Sequence, residues 1–590
     1  RKLAYIEVPE TVHVAQAMCY AYIYAKEQSL DRINVQITYV NLESEEVKHF
    51  FYVFSCSFLE KWFHDTVDEM MKWVDHAVSH ARSRDASITE LEFPYEYRKG
   101  QKQMAACVYK AIEGERRLFV QAPTGIGKTM AAMFPSVKAF ATGLVSKIFY
   151  LTAKTIAGTV PDQALTLLRE RGVKFSSVML TAKEKICLNE TMECDAEHCP
   201  YAKGHFDRVN DALFELITQE EKMDREIIRA YAKRYQVCPF ELGLDASLFA
   251  DAIIGDYNYV FDPRVNLKRF FSQTAYDTGR YVFLVDEAHN LVDRAREMYS
   301  STLIKEDFLK IKKIMTTHSR KIARSLERCN KELLELKREC EERKIYDSIE
   351  IEPFVMKALR LSSLLEEYLH SRTDSGDYTA LPDITPGDPA ALPLDNDSRE
   401  DVLAFYFELR YFLSIYETLD EKYIIYGDYD PAGAFYLHLQ CMDPSGNLDS
   451  YLKRGRCAVF FSATLLPVQY YRDQLAGRED DYAIYAPSPF SSSNRLLMIA
   501  RDVSTKYTRR TPAEYQRISD YILRFIQAKT GNYLIFFPSY RMLEDIRSYI
   551  ESSSYCQECV NVYVQETSMS ETEREEFLSH FEDTPTKTTI

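Results

Sequence analysis

The sequence lacks several features that define common classes of protein. Its 590 residues contain no window of about 20 uninterrupted apolar residues, which argues against a transmembrane helix. There is no internal repeat, and nothing near Arg1 resembles a signal peptide. The 13 cysteines are an odd number without a secretory signal, so reduced thiols or metal ligands are favoured over a disulfide scaffold. We therefore expect a cytoplasmic protein with no membrane partner.

An excess of positive charge is also missing. The formal net charge is -16, which argues against a globally basic nucleic-acid binder but leaves room for a local basic groove. The composition is that of a globular protein, with 46% hydrophobic and 27% charged residues. The length corresponds to roughly four domains. Residue 1 is Arg, and residues 586–590 resemble the start of a strand, so we expect a fragment at both ends.

Local patterns divide the chain into segments. Residues 1–85 predict a helix, a hairpin and a second helix, because apolar residues alternate along two neighbouring runs. Residues 98–171 alternate helix with strand, as in a parallel α/β sheet. Residues 281–285 form a continuous apolar run typical of a central strand. Further strands are predicted at 457–461 and 533–537.

Other segments show no strand signal. Residues 187–240 combine cysteines with helix formers, and residues 303–370 carry apolar residues at helical spacing. Residues 371–400 are rich in proline, aspartate and glycine, which predicts a loop or hinge.

The sharpest motif is a glycine-containing loop between a predicted strand and a predicted helix. It reads Ala122-Pro123-Thr124-Gly125-Ile126-Gly127-Lys128-Thr129. This strand, loop and helix order is the context of a P-loop, in which backbone N–H groups and the helix N-terminus bind phosphate. We expect Lys128 to neutralise the β- and γ-phosphates and the Thr129 hydroxyl to bind Mg²⁺.

A second motif, Asp286-Glu287-Ala288-His289, directly follows the apolar run. Ligands of open α/β sheets bind at the C-terminal ends of the strands, so both carboxylates should face the nucleotide. Asp286 is suited to Mg²⁺, and Glu287 to orienting or deprotonating the attacking water. His289 completes the predicted catalytic set.

The two motifs resemble those of superfamily 2 helicases, whose phosphate loop also has Ala at the position of Ala122. The resemblance implies RecA-like P-loop motor domains that use ATP and Mg²⁺. Further matches occur in order along the chain. They are Arg98 and Gln101 near the adenine, Thr152, Lys154 and Thr155 at the DNA backbone, Ser462, Ala463 and Thr464 for coupling, and 536–540 opening a second motor domain.

Four cysteines lie between these motifs with the spacing C-x6-C-x4-C-x38-C: Cys187, Cys194, Cys199 and Cys238. Four thiolates can bind zinc or an iron–sulfur cluster, and the spacing does not decide between them. Their position resembles that of the XPD/DinG branch of superfamily 2, which implies a [4Fe–4S] cluster. The pair Cys556 and Cys559 has no partner cysteines and is interpreted as incidental.

The predicted helical insert resembles the all-helical arch domain of the same branch. Residues 305–344 contain 13 Lys or Arg against 8 Asp or Glu. This local excess could follow the phosphates of single-stranded DNA, or it could be a solvated pair of charged helices.

At the front of the chain, Gln16 and Tyr20 fit the QxxxY helix motif of RecB-like PD-(D/E)xK nucleases. Some bacterial DinG-like helicases carry such a domain at the N-terminus. The metal-binding acid and the (D/E)xK residues are expected before Arg1, so we do not expect nuclease chemistry from this chain.

The expected fold is α/β: parallel-sheet motor domains with an inserted Cys-rich domain and an inserted helical domain. The expected domains are a partial nuclease-like domain at 1–85, a first motor domain at 90–180, 250–300 and 455–470, an iron–sulfur domain at 181–245, an arch domain at 301–450, and an incomplete second motor domain at 480–590.

The resemblance implies an ATP-dependent DNA helicase that moves 5′-to-3′ on single-stranded DNA and acts at DNA junctions in repair or replication. Nothing after Leu578 matches the last two helicase motifs, so we expect this chain to bind nucleotide but hydrolyse it poorly. The alternatives are an ATP-gated nuclease and helicase fusion, or a DNA-binding protein with an inactive motor.

Overall fold

The computed structural model describes residues 6–41, 45–153, 159–190, 192–194, 196–271, 279–370, 395–488, 490–566, 569, 571–581 and 585–590. The chain divides into two compact units, Arg1–Pro489 and Phe490–Ile590.

The first unit begins with a helix, a hairpin and a long helix, as predicted. The elements are α1 (Thr11–Glu27), β1 (Arg32–Val40), β2 (Val47–Ser55) and α2 (Cys56–Thr89). The strands pair antiparallel, and partly buried residues alternate with exposed ones along both. The Ser55 hydroxyl accepts a hydrogen bond from the Phe58 amide and caps α2.

The C-terminal half of α2 is joined to the rest of the unit by a buried carboxylate. Asp251 accepts hydrogen bonds from Arg84 (2.6 Å) and from the Ser176 amide (2.8 Å), and His80 Nε2 lies 2.7 Å from it. Burial raises the pKa of Asp251, but the hydrogen bond and charge of His80 and the charge of Arg84 outweigh it and lower the pKa.

A parallel sheet forms the centre of the unit. Its first part comprises α3 (Gln101–Glu113), β3 (Arg117–Gln121), α4 (Lys128–Lys138), β4 (Lys147–Thr152), α5 (Thr159–Glu170) and β5 (Ser177–Met179). The cysteine segment follows with α6 (Lys183–Ile186), α7 (His205–Gln219), β6 (Lys222–Met223), α8 (Arg225–Tyr235) and α9 (Pro239–Phe249). The chain then returns with β7 (Ala252–Asp256), α10 (Asn258–Phe261), α11 (Lys268–Phe271), β8 (Tyr281–Asp286) and α12 (His289–Met298).

An insert separates these elements from the last strands of the sheet. It contains β9 (Ser301–Ile304), α13 (Lys305–Met315), α14 (Arg320–Glu339), β10 (Arg343–Tyr346), α15 (Ser348–His370), α16 (Asn396–Tyr416), β11 (Tyr423–Tyr429) and β12 (Phe435–Cys441). The unit is completed by α17 (Ser445–Leu452), β13 (Cys457–Ser462), α18 (Val468–Gln474) and β14 (Tyr482–Tyr485).

The main sheet has eight strands in the order β14-β3-β13-β8-β4-β7-β5-β6, and every pairing is parallel. The strands β3, β4, β8 and β13 are almost wholly buried, because helices cover both faces of such a sheet. The predicted α/β class with a parallel sheet is confirmed.

Two expectations about strands are wrong in this unit. Residues 187–240 are not free of strands, since β6 adds to the edge of the sheet; a two-residue strand is too short to give a sequence period. The insert is not all-helical, because β10, β11, β12 and β9 form an antiparallel four-stranded sheet. Its two longest strands, β11 and β12, form a hairpin, and burial alternates along β12, a local signal that the all-helical interpretation overlooked.

Two boundaries also differ from expectation. The segment 480–489 belongs to the first unit, because β14 pairs with β3. The predicted loop 371–400 is helical at its end, since α16 begins at Asn396 with Asp395 accepting from the Ser398 amide. Residues 371–394 lie outside the described residues.

The second unit contains α19 (Pro512–Ala528), α20 (Tyr540–Glu551), α21 (Ser554–Cys559), β15 (Val560–Asn561), α22 (Glu571–Ser579) and β16 (Thr588–Thr589). The strands β15 and β16 pair parallel. The strand predicted at 533–537 is not formed, because only a single bridge from Asn532 to Thr589 pairs this segment among the described residues. Phe536 is 87% exposed.

Candidate active site

The phosphate loop lies between β3 and α4 and is held from the side of α3. Gly125 and Gly127 have φ of +81° and +80°, which glycine adopts without strain. The Gln101 amide donates to Gly127 O (3.3 Å), and its oxygen accepts from the Arg98 amide (3.0 Å). The Arg98 guanidinium donates to Gly125 O. Arg98 and Gln101 therefore stabilise the backbone of the loop that precedes Lys128.

The two carboxylates extend from the C-terminal end of β8. Asp286 Oδ2 accepts a hydrogen bond from the Tyr150 hydroxyl (2.7 Å), and Asp286 Oδ1 accepts from the Glu287 amide (2.8 Å). Glu287 has φ of +46°, a left-handed conformation that costs free energy for a residue with a side chain. The Tyr257 hydroxyl contacts the Asp286 and Glu287 carbonyls and so supports this turn.

A network of hydrogen bonds joins the phosphate loop, the acidic motif and β13. Lys128 Nζ lies 3.4 Å from Glu287 Oε1, and the Ser462 hydroxyl donates to Glu287 Oε2 (3.0 Å). His289 Nδ1 is 2.7 Å from Ser462 Oγ, which also accepts from the Thr464 amide (3.1 Å). The fold therefore brings five predicted site residues together, although they lie far apart in the sequence.

The geometry also identifies residues that could hold Mg²⁺. The Tyr150 hydroxyl lies 3.5 Å from Thr129 Oγ1 and 2.7 Å from Asp286 Oδ2, so the two predicted ligands share one neighbour. Hydroxyl and carboxylate oxygens are the donors that Mg²⁺ prefers. The residues present thus fit the ion.

Burial determines the electrostatics of this site. It raises the pKa of Asp286, and the neighbouring Glu287 charge adds to the effect, while the hydrogen bond from Tyr150 opposes it. Burial and the Asp286 charge raise the pKa of Tyr150 well above its ordinary value. Tyr150 therefore stays protonated and donates to the carboxylate.

Sequence reasoning assigned no role to the tyrosine hydroxyls or to Gln121. Tyr150 and Tyr257 are fully buried, and Gln121 donates to Ala463 O (3.1 Å). The sequence does contain one signal, since Tyr150 lies within an apolar strand and a buried hydroxyl needs a hydrogen-bond partner. Residues Ala122, Pro123, Thr124 and Ile126 supply the remaining loop backbone, with the Ala122 amide donating to Ser462 O (2.9 Å).

The three residues predicted to contact the DNA backbone are described only in part. Thr152 ends β4 and is 3% exposed. Lys154 and Thr155 lie outside the described residues.

The four predicted cluster cysteines do not form a closed metal site in this structure. Cys187 ends α6, Cys238 precedes α9, Cys199 is buried and Cys194 is exposed. A hydrogen bond to the Cys194 thiol raises the pKa of Lys183, and the Cys238 charge acts in the same direction. The donor set suits iron or zinc. In the described residues, however, no three Cys, His, Asp or Glu side chains are grouped closely enough to hold a metal ion.

The predicted nuclease motif lies on α1, and the described residues contain no group of three Asp, Glu, His or Cys side chains that could hold a metal ion. Gln16 and Tyr20 are both exposed, Tyr20 by 66%.

No helix in the described part of the chain has the length and apolar character needed to cross a membrane.

Three parts of the chain match known protein families. Residues 98–202 match the DEAD/DEAH box helicase family, residues 170–308 match DEAD_2, and residues 522–590 match the helicase C-terminal domain. The three matches together include both nucleotide motifs and the C-terminal part of the chain. The chain is an ATP-dependent helicase by these domains, in agreement with the prediction from its two nucleotide motifs.

This helicase is similar to proteins of archaea. It is 24% identical over 460 residues to the ATP-dependent DNA helicase XPD of Sulfolobus acidocaldarius, covering 76% of this chain and 74% of that protein. A probable ATP-dependent helicase of Methanocaldococcus jannaschii is 21% identical over 531 residues, covering 83% of this chain and 77% of that protein. A solved XPD helicase covers 85% of this chain and 80% of its own, with 18% identity and a TM-score of 0.46.

Proposed function

We propose that this chain is the motor of an ATP-dependent DNA helicase that moves along single-stranded DNA and separates duplexes. The observation that carries the proposal is the network joining Lys128, Glu287 and Ser462. A nucleotide-binding lysine, an acid and the strand-end residue of β13 share one set of hydrogen bonds. A change at the γ-phosphate would therefore alter the hydrogen bonds of the Ser462–Thr464 segment.

Each residue of the network has a role in the proposed reaction. Lys128 neutralises the phosphates, and Thr129 and Asp286 hold Mg²⁺, which supplies charge neutralisation when it is bound. Glu287 orients the attacking water and accepts its proton. Ser462 and His289 hold the Glu287 carboxylate and release it when Lys128 moves toward phosphate. Tyr150 and Tyr257 keep the acidic turn in place.

The binding step is tested with Lys128→Ala and the matched control Lys102→Ala, an exposed lysine on α3. We expect Lys128→Ala to weaken binding of a fluorescent ATP analogue at least about a hundredfold, as losing one electrostatic stabiliser of a phosphate commonly does. Lys102→Ala should bind as the wild type does. DNA unwinding that survives Lys128→Ala would contradict the motor and favour a passive DNA-binding protein.

The finer parts of the proposal rest on the resemblance to the XPD/DinG branch. They are movement 5′-to-3′, a role in repair or replication, and action at DNA junctions. Unwinding of partial duplexes with either a 5′ or a 3′ single-stranded tail tests the direction. Unwinding that requires the 3′ tail would overturn it.

We also propose that Cys187, Cys194, Cys199 and Cys238 bind a [4Fe–4S] cluster. This proposal is supported by the proximity of Cys194 and Cys238 to Lys183. The Lys183 ammonium group would offset the negative charge of the thiolates. The test is an anaerobic absorption spectrum with iron and zinc quantification. About four irons per chain with a band near about 400 nm is expected; one zinc per chain, or no metal, would overturn the proposal.

A further inference from the structure

The insert contains a groove with a strongly basic lining. Between α14 and α15 lies a cavity of about 380 Å³, lined by five cations together with Ser325 and Leu364. The five cations are Arg320, Lys321, Arg324, Arg328 and Arg360. Among the described residues no acidic side chain lines the groove, and all five cations are exposed to solvent. The groove therefore concentrates positive charge within a protein of net charge -16.

The cations form a row because of their spacing on α14. Arg320, Arg324 and Arg328 are four residues apart, so they lie on one face of the helix with about 6 Å between neighbours along its axis. Arg360 adds a charge from α15 across the groove. The opposite face of α14 is fixed by buried apolar residues such as Leu326. The row is thus held on a packed scaffold.

These five cations have no partner within the described residues: none makes a hydrogen bond or an ion pair there. By contrast, Lys357 on α15 forms an ion pair with Glu332 on α14. Like charges four residues apart destabilise a helix by about 0.2–0.5 kcal/mol per pair. An anion bound in the groove would therefore reduce this repulsion and stabilise the helix.

We propose that this groove binds the backbone phosphates of single-stranded nucleic acid. The inference rests on the proposed function and adds to it a site in the insert. An open, linear row of cations suits a chain of regularly spaced phosphates, and each arginine can present two parallel N–H groups to one phosphate. Because these contacts reach only the backbone, they would carry no sequence preference. A free polyphosphate offers the same chemical groups, so the experiment must separate the two sources.

The experiment measures the affinity of labelled oligo-dT and of a mixed-sequence strand across a range of salt concentrations. Each phosphate contact on a single strand contributes about 0.7 to the slope of log K against log salt. Arg324→Gln with Arg328→Gln should lower the magnitude of the slope by about 1.4 and weaken binding roughly tenfold at 0.1 M salt, equally for both strands. Arg324→Lys with Arg328→Lys keeps the charges and should retain the slope.

The matched control is Lys313→Gln with Arg399→Gln, which removes two exposed cations of the insert that do not line the groove. It should leave the slope unchanged. An unchanged slope in the Arg324 and Arg328 glutamine variant overturns the groove proposal while wild-type DNA binding leaves the proposed function standing. If the wild type binds the ATP analogue but no strand, the DNA substrate itself is refuted. Tripolyphosphate that binds the wild type but not the glutamine variant, with no change in DNA slope, assigns the groove to free polyphosphate and overturns the proposal.

Discussion

The nucleotide site and the cysteine region differ in what holds their functional side chains. In the nucleotide site, Glu287 joins Lys128 to Ser462 through its two carboxylate oxygens, and Asp286 accepts a hydrogen bond from Tyr150. In the cysteine region the four thiols lie in loops and at helix ends, and Cys194 is exposed. The first site is preorganised by the fold, whereas we expect the second to be completed by its ligand. The predictions below test this difference.

The largest effect is expected at the acid that the network holds. Glu287→Gln keeps the size of the side chain but removes the proton acceptor, so the rate of ATP hydrolysis should fall about 10²- to 10⁴-fold. Binding of the ATP analogue should change little, since Lys128 and the loop remain. The control is Glu297→Gln, an exposed acid on α12. Hydrolysis that stays within threefold of the wild type would remove Glu287 from the chemistry.

The next effect concerns the cysteine region. Cys238→Ser should lower the affinity for iron by more than the roughly 10- to 100-fold that loss of an outer-shell partner causes, because it removes a proposed ligand, and the iron content of the purified variant should fall. It should also lower the melting temperature, since cluster binding contributes to folding. ATP-analogue affinity should not change if the nucleotide site is preorganised. Cys559→Ser, at an exposed cysteine of the second unit, is the control. Iron content that survives Cys238→Ser would contradict the ligand assignment.

The sequence predicted the nucleotide site better than the insert for physical reasons. Residues 122–129 and 286–289 are contiguous motifs, and the rule that ligands bind at the C-terminal ends of parallel strands brings them together. The strands β11 and β12 of the insert form a hairpin with alternating burial along β12, but their pairing with the short strands β10 and β9, far away in the sequence, has no local pattern. The contacts of Tyr257 with the carbonyls after β8 depend on packing across 29 residues, which a single sequence does not specify.

A smaller effect is expected from the hydroxyl that supports the acidic turn. Tyr257→Phe removes a hydroxyl donor from the Asp286 and Glu287 carbonyls, and the Glu287 carbonyl keeps the Asn290 amide as a donor, so the loss should cost about 0.5–1.5 kcal/mol of folding free energy. It should also lower hydrolysis more than nucleotide affinity, because Glu287 loses support for its left-handed backbone. Tyr259→Phe is the matched control, since that half-buried hydroxyl has no hydrogen bond among the described residues. Urea unfolding of the two variants measures the difference, and equal midpoints would show that the Tyr257 hydroxyl contributes nothing.

The smallest effect has the opposite sign. Burial raises the pKa of Asp286, so the folded state disfavours the carboxylate and loses stability as pH rises from the ordinary carboxyl pKa of about 4 toward the raised value. Asp286→Asn removes this cost and should stabilise the ligand-free protein at neutral pH by on the order of 1 kcal/mol, a typical gain at a functional site. The gain should vanish below about pH 4, where the wild-type carboxyl is protonated in both states.

The same substitution should abolish the extra stability that Mg²⁺ and ATP give the wild type, because a proposed Mg²⁺ ligand is lost. Asp293→Asn, at an exposed position on α12, should do neither. Unfolding midpoints at neutral and acidic pH, with and without Mg²⁺ and ATP, measure both effects. A variant less stable than the wild type at neutral pH would mean that the bonds from Tyr150 and from the Glu287 amide outweigh the burial of the charge. The acidic turn would then be held by its carboxylate, and preorganisation would carry no stability cost at this site.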